Sequence, residues 1–269
     1  MDRSPSAAHR GASLAPGGDR RQTRAVPTPN LALLSAVVLV AFTAEATAGF
    51  GSTVLSLTLG SLFAPIPVLL PIVVPLNVGL TVYLVARHAH HVAWRLLWMR
   101  VLPLMAAGGA IGYAVGRGLD AAALRRVLGA LVVAVSAREL WRLARPGAPP
   151  RPLPPAATAA CIGAAGVVHG MLATGGPLLV YALGRADLSK GALRSTLAVL
   201  WLVLNAALLA AFIADGRLGG AQLRAVAALV PALAVAIALG ERVHRRIPER
   251  PFRAVVFGLL LVAGGLSLA

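Results

Sequence analysis

From residue 31 onward the chain is a succession of apolar runs, most of them about 20 residues long, separated by short polar breaks. Runs near 66–86, 99–116, 121–141, 192–214, 221–240 and 251–269 each approach the length needed to cross the hydrocarbon of a bilayer, and are read as helices. Two longer stretches, 31–63 and 156–184, exceed one straight crossing at about 1.5 Å per residue and carry glycines in their middles. Each of these reads as two short helices. Only 13% of residues are charged, against roughly 25% in a soluble domain, and 58% are apolar, with a mean hydropathy of +0.80. A soluble fold is excluded. The expectation is an all-α integral membrane protein of about 8 to 10 transmembrane or half-membrane helices.

The 25 basic residues, all arginine except Lys190, outweigh 9 acids and give a net charge of +16. In a soluble chain that balance would point to nucleic acid. Here the arginines fall mainly between apolar runs, where they fix orientation by remaining on the cytoplasmic side. The lipid bilayer is therefore the expected partner, and nucleic acid is not. Residues 1–30 are rich in Arg, Pro, Ser and Gly and are expected to form a disordered tail. The apolar run Leu31 to Phe42, followed by Ala44, Ala46 and Ala48, has the look of a signal-peptide core and cleavage site. That reading is set aside because the central site needs this helix retained. Cys161, the single cysteine, leaves no disulfide or cysteine-based metal site within one chain.

A Pro-rich connector, 146–155, divides the membrane region into two parts of similar length, 31–145 and 156–269. Markers recur across it at a nearly constant offset. Gly49-Phe50-Gly51 has a counterpart in Gly175-Gly176-Pro177, Asn77 in Asn205, Gly112 in Gly240 and Gly129 in Gly258. Four markers in the same order identify two homologous halves. Loop charge bears on how they are related. The basic loop of the first half, 87–100, precedes a nearly neutral one at Gly118 to Asp120, whereas in the second half the sparse loop at Asp215 to Arg217 comes before the basic 241–253. Equivalent loops on opposite faces imply inverted repeats. Counting five segments per half places the Arg-bearing tail outside, unless one short segment is a re-entrant turn.

Unwound backbone at membrane depth is tolerated only where protein or a water-filled cavity satisfies its N–H and C=O groups. Breaks at corresponding places in two halves therefore point to a central binding site. Candidate substrate-binding residues are Gly49, Phe50, Gly51, Ser52 and Thr53 in the first half and Thr174, Gly175, Gly176 and Pro177 in the second. Pro177 suits the first turn of a new helix, and two helix N-termini pointing inward would offer N–H groups and positive dipole ends to an anion. The competing reading is that these glycines merely let helices approach. Asn77 and Asn205 either donate to a bound oxyanion or tie helices together, and the sequence does not choose. Glu45, the only acid between positions 20 and 119, is either a proton-coupling group, a residue near the interface or a partner of an arginine. His169 is either its proton-coupling counterpart or a satisfied helix-to-helix hydrogen bonder.

The boxes Thr47-Ala48-Gly49-Phe50-Gly51 and Gly170 with Thr174-Gly175-Gly176-Pro177, together with Arg194-Ser195-Thr196, Gly240, Arg253 and the terminal helix with Gly264-Gly265, resemble the TauE/SafE family of bacterial membrane permeases. The resemblance extends over about residues 31–269. Ser52 and Leu57 to Leu59 depart from the family's usual glycine-rich, proline-containing continuation of the first box, which puts the identity of the substrate in question. The resemblance implies a multi-pass protein of the bacterial inner, or cytoplasmic, membrane that moves sulfur-containing or other organic anions without ATP hydrolysis.

The function expected is thus a secondary transporter, or permease, for a small organic or sulfur-containing anion resembling sulfite or a sulfonate, with proton coupling through Glu45 or His169. It is not expected to be an enzyme and needs no cofactor. Two alternatives remain beside it: a membrane-embedded enzyme acting on a lipid-linked substrate through Glu45 and His169, with or without the His88 cluster, and a non-transporting membrane subunit. His88, His90 and His91 lie beside Trp94 and Trp98 with no nearby Cys or carboxylate to complete a ligand set, so no metal is expected. Lys190 lacks the P-loop frame. Which anion moves, in which direction, and the oligomeric state are not written in the sequence.

Overall fold

A computed structural model describes residues 30–145, 153–183, 188–246 and 249–268. Ten helices run through them: α1 (Leu31–Ala48), α2 (Ser52–Gly60), α3 (Ile66–His88), α4 (Trp94–Arg117), α5 (Ala121–Ala144), α6 (Pro155–Leu172), α7 (Gly176–Leu183), α8 (Lys190–Ala214), α9 (Gly220–Arg246) and α10 (Glu249–Leu268). No strand occurs among the described residues. The chain is an all-α membrane protein. The expected disordered tail lies outside the described residues save Asn30, whose side chain caps α1 by accepting from Ala32 N–H at 3.0 Å. Most of the connector, 146–152, also lies outside them, and Pro155 opens α6.

Helix starts follow local chemistry. Asp120 accepts from Ala123 N–H to start α5, and Ser189 accepts from Ala192 N–H to start α8. Pro71 and Pro75 lie inside α3, and a π turn over Leu97–Val101 interrupts α4. Such departures from the regular ladder are tolerated in membranes where neighbouring helices re-satisfy the backbone.

Six helices are long and apolar enough to cross a bilayer: α1, α3, α4, α6, α8 and α9. The sequence pattern assigned clear crossings to α5 and α10 instead of α1 and α6, and the difference has a plain cause. Helix α5 carries Arg125, Arg126, Arg138, Glu139 and Arg142, and α10 is apolar only from Ala254 to Leu268. Both glycine-broken stretches do split in two, but unequally. One part of each is an 18-residue helix, α1 or α6, about 27 Å long at 1.5 Å per residue, and the other is the short α2 or α7.

The most extensive helix contacts join α4 to α6, α1 to α9, α5 to α10 and α3 to α8. Small residues permit the closest of them. A Cβ on Gly112 or Gly108 of α4 would overlap the carbonyls of Val167 or Gly163 in α6, and one on Gly170 of α6 would overlap that of Gly109. In the same manner, a Cβ on Gly240 of α9 would overlap the Ala46 side chain of α1. Glycine thus fits α4 against α6 and α9 against α1.

Candidate functional site

The first break begins where α1 ends. Gly49 takes a left-handed conformation (φ 85°) and its N–H donates to the Glu45 carbonyl at 2.7 Å; Gly51 is also left-handed (φ 114°), and α2 starts at Ser52. Carbonyls at a helix C-terminus have no partner within the helix. Here they are met one by one. Arg194 of α8 donates to the Ala46 carbonyl, a ring nitrogen of His244 of α9 lies 2.8 Å from the Thr47 carbonyl, and Trp201 Nε1 of α8 donates to the Gly49 carbonyl at 3.1 Å. Arg194, only 8% exposed, is further held by Glu241 of α9 at 2.9 Å. Two cationic or imidazole groups at the negative end of α1 also oppose its dipole favourably.

The second break is built differently. Its left-handed residue is Ala173 (φ 52°), the C-cap of α6, rather than one of the glycines that the sequence pattern singled out. Gly175 serves packing instead: a Cβ there would overlap the Ala165 carbonyl one helical layer away. Helix α7 starts at Gly176 with Pro177 in its first turn, where the absent N–H costs nothing. The only C-terminal carbonyl of α6 with a hydrogen bond from outside its ladder is that of His169, which accepts from Ala173 N–H at 2.6 Å among the described residues.

Between the breaks lies a chain of polar side chains. Glu45, 2% exposed, accepts at Oε2 from Ser52 N–H (2.8 Å) and at Oε1 from Asn77 Nδ2 (2.9 Å). Asn77 Nδ2 also donates to Ser52 Oγ (2.8 Å), and Asn205 Nδ2 donates to Asn77 Oδ1 (2.6 Å). Asn205 Oδ1 is buried without a partner among the described residues. A small cavity opens beside this chain, lined by residues of both breaks, among them Phe50, Gly51 and Thr53 on one side and Thr174, Gly176 and Pro177 on the other. Glu45, Asn77, Asn205 and Trp201 complete its wall. A second small cavity shares Ala173 with the first and is lined by residues that include Tyr113, Arg117 and Arg217. Tyr113 donates to Asp215 at 2.7 Å, and Arg117 stands 3.5 Å from the same carboxylate.

Most of the residues named from sequence therefore converge on one cavity. Gly49, Ser52 and Gly175 stand behind its wall, shaping the breaks. The Glu45 carboxyl is buried and not paired with an arginine among the described residues: its partners are Ser52 and Asn77. The two asparagines tie α3 to α8 and line the cavity at once. His169, 2% exposed, has no hydrogen-bond partner at either ring nitrogen among the described residues and stacks on Trp201 with centroids 5.4 Å apart. It does not bond Glu45. Among the described residues no three His, Cys, Asp or Glu side chains cluster as a metal site requires.

Sequence reasoning missed Trp201 and Arg194 as parts of the site. Trp201 sits in an apolar run where a tryptophan reads as core or belt, and Arg194 lies near the start of α8, where an arginine reads as an orientation signal. A signal existed for Arg194, which falls within the Arg194-Ser195-Thr196 motif.

Comparison with known proteins supplies an independent view. The family model described as sulfite exporter TauE/SafE matches residues 33–267. A probable inner membrane transporter protein, TsaS of Comamonas testosteroni, is 32% identical over 180 residues, which is 66% of this chain and 72% of that protein. No solved structure matches the chain significantly.

Proposed function

The chain belongs to the TauE/SafE family of membrane transporters, and on that premise we propose that it is a proton-coupled secondary transporter of a small oxyanion, of the sulfite or sulfonate type, in the bacterial inner membrane. The carrying observation is a cavity lined by both helix breaks and by the Glu45, Asn77 and Asn205 chain. The two short helices start at its wall, and their N-termini are not alike. Glu45 already places its carboxyl on Ser52 N–H at the start of α2, whereas no carboxylate meets the first turn of α7 among the described residues. An arriving anion is favoured at α7 by dipole and free N–H groups and opposed by an ionised Glu45 in the same small space. Protonating Glu45 removes the opposition, so anion and proton bind together. Arg117 and Arg217, lining the adjoining cavity, raise the local concentration of anions at its approach.

Two inverted repeats, α1–α5 and α6–α10, give this site its frame in the proposed mechanism. Supporting them are the swapped contacts of α4 with α6 and of α9 with α1, and the equivalent duties of Gly112 and Gly240. Rocking of one repeat against the other would expose the cavity alternately to the two faces. Glu45 and His169 do not meet as an acid and base pair, which counts against the enzyme reading.

The test is sulfite and sulfonate flux in proteoliposomes under an imposed pH gradient. At Gly176 a Cβ fits, 3.4 Å from Phe50, so Gly176→Leu starts from backbone that accepts a side chain and intrudes on the cavity from its wall. Flux by wild type and its loss in folded Gly176→Leu is the expected result. Equal flux by both proteins would overturn the site.

A further inference from the structure

A carboxylate only accepts hydrogen bonds, while a primary amide presents two donors on one side and an acceptor on the other. Those two facts fix the direction of every bond between Glu45 and the cavity. With Glu45 ionised, Asn77 must turn Nδ2 toward Oε1, leaving Oδ1 for Asn205 Nδ2. Asn205 then has Oδ1 left over, buried and unpartnered at the cavity wall. Through two amides the charge on Glu45 arrives at the cavity as an acceptor, the wrong group for an oxyanion.

Adding a proton reverses the chain. Ser52 N–H still requires an acceptor at Oε2, so the proton sits on Oε1 and donates toward Asn77. Asn77 satisfies it by a half turn of its amide, bringing Oδ1 to Glu45. Ser52 Oγ, which accepted from Nδ2 before, rotates its hydroxyl and donates to Oδ1 instead. Asn77 Nδ2 now donates to Asn205 Oδ1, and Asn205, turned likewise, presents Nδ2 to the cavity. Each bond of the chain survives with donor and acceptor exchanged, and the one group that gives up its partner is Asn205 Nδ2, the donor now offered to the cavity. The one previously unpartnered acceptor becomes a partnered one.

We propose that Asn77 and Asn205 form a hydrogen-bond relay whose polarity is set at Glu45, so that Asn205 offers the cavity an oxyanion-binding donor only when Glu45 holds a proton. The inference rests on the reading of the cavity as an oxyanion site with Glu45 as proton carrier, and adds the residues that connect the two. The proton comes from water, resides on Oε1 while the anion is bound and leaves with it; no other bond is made or broken. Neighbouring titratable groups are engaged elsewhere. From α8, Arg194 bonds Ala46 and Glu241; from α9, Glu241 faces Arg194 and His244 faces the Thr47 carbonyl; from α6, His169 stacks on Trp201. The other two helices against Glu45 supply only Ser52 and Asn77 to its carboxyl.

Methanesulfonate is the probe, because its sulfonate stays ionised across the working pH range, whereas sulfite itself titrates. Binding to the purified full chain is measured by calorimetry in buffers of differing ionisation enthalpy, which yields protons taken up per anion. Wild type is expected to take up one proton per anion, with affinity falling about tenfold per pH unit on the alkaline side. In Glu45→Gln, Ser52 N–H claims the amide oxygen and the amide nitrogen faces Asn77, so the relay is held in its donor arrangement. That variant should bind at every pH without proton uptake. Asn77→Leu cuts the relay and leaves Glu45 in place, and uptake should fall below about half a proton per anion, since only through-space repulsion remains. Asn205→Leu should weaken acid-side binding about tenfold or more, as loss of a bond to a charged group does. Full proton uptake and wild-type affinity in Asn77→Leu would overturn the relay while leaving the oxyanion site intact. Should Asn77→Leu not fold, persistent pH dependence in Glu45→Gln would overturn it. No methanesulfonate binding by wild type at any pH would overturn the oxyanion reading itself, as would binding that requires sodium and takes up no proton overturn the role of Glu45.

Discussion

The two helix breaks occupy the same place in their halves, each between an 18-residue helix and one of eight or nine residues, yet they are held by different means. The first is tied by polar bonds: Arg194, His244 and Trp201 meet carbonyls of its ending helix, and Glu45 meets the N–H that opens the next. The second is shaped by steric fit, with Gly175 pressed on the Ala165 carbonyl, a left-handed Ala173, and His169 stacked without hydrogen bonds. Two similar bends therefore need not share a chemistry. One is filled by the protein's own acid, and in the proposed mechanism the other receives the ligand. That asymmetry is what a coupled carrier needs, since a site saturated on both sides by its own side chains has nothing to offer an anion.

The largest expected effect lies at the sterically fitted break. Gly175→Leu drives a side chain into backbone that cannot yield, and should leave little folded protein on size-exclusion chromatography, a loss on the order of 4 kcal/mol or more. At the first break the corresponding intrusion is milder. A Cβ on Gly51 meets nothing within 4 Å, so Gly51→Ala carries only the penalty of its left-handed backbone, about 1–2 kcal/mol. Equal losses from the two variants would erase the distinction drawn here.

Next in size is the polar tie itself. Arg194→Met removes the donor to Ala46 and leaves Glu241 without that partner, which should cost about 3 kcal/mol in a detergent unfolding series. Among the described residues no comparable charge serves the end of α6, so the matching variant is lacking there. Smaller again is the contrast between the ionisable groups. Glu45→Gln should remove the pH dependence of flux, which in wild type amounts to about 1.4 kcal/mol of binding per pH unit. His169→Phe preserves the stack on Trp201 and should keep that pH dependence. A reversed result would move the proton from the first break to the second.

Much of this arrangement was legible in the residues. Apolar run length gave the helices, the two broken stretches gave the breaks, and the rarity of acids exposed Glu45. The offset singled out Asn77 and Asn205 without saying that they touch, and they hydrogen bond. What stayed hidden depends on tertiary contact. Composition favoured α5 and α10 over α1 and α6 as crossings, because a glycine interruption shortens an apolar run on paper without showing which side of it is long. Trp201 and Arg194 look like ordinary residues of α8 until α1 ends against them. Ala173 could not have been found at all, since glycines two residues away draw the eye to where a left-handed turn is easiest.

Ala173 also provides the smallest and most exacting comparison of the two breaks. A left-handed residue with a Cβ is strained by about 1 kcal/mol, and Gly49 avoids that strain at the equivalent place in the first half. Ala173→Gly should relieve it, with the gain offset in part by the greater freedom of glycine in the unfolded chain, so a rise of a few tenths to about 1 kcal/mol is expected. Gly49→Ala should move the other way, because it adds the same backbone strain and brings a Cβ to 2.9 Å from Arg194 Cγ. Thermal unfolding of both variants beside wild type measures the pair. Ala173 stands between the two cavities, and its bend places Thr174 and Gly176 on the wall of the first. If the strain serves to hold that wall, Ala173→Gly will gain stability and lose affinity for methanesulfonate. A variant that gains stability with affinity unchanged would show that the strained backbone is tolerated rather than used.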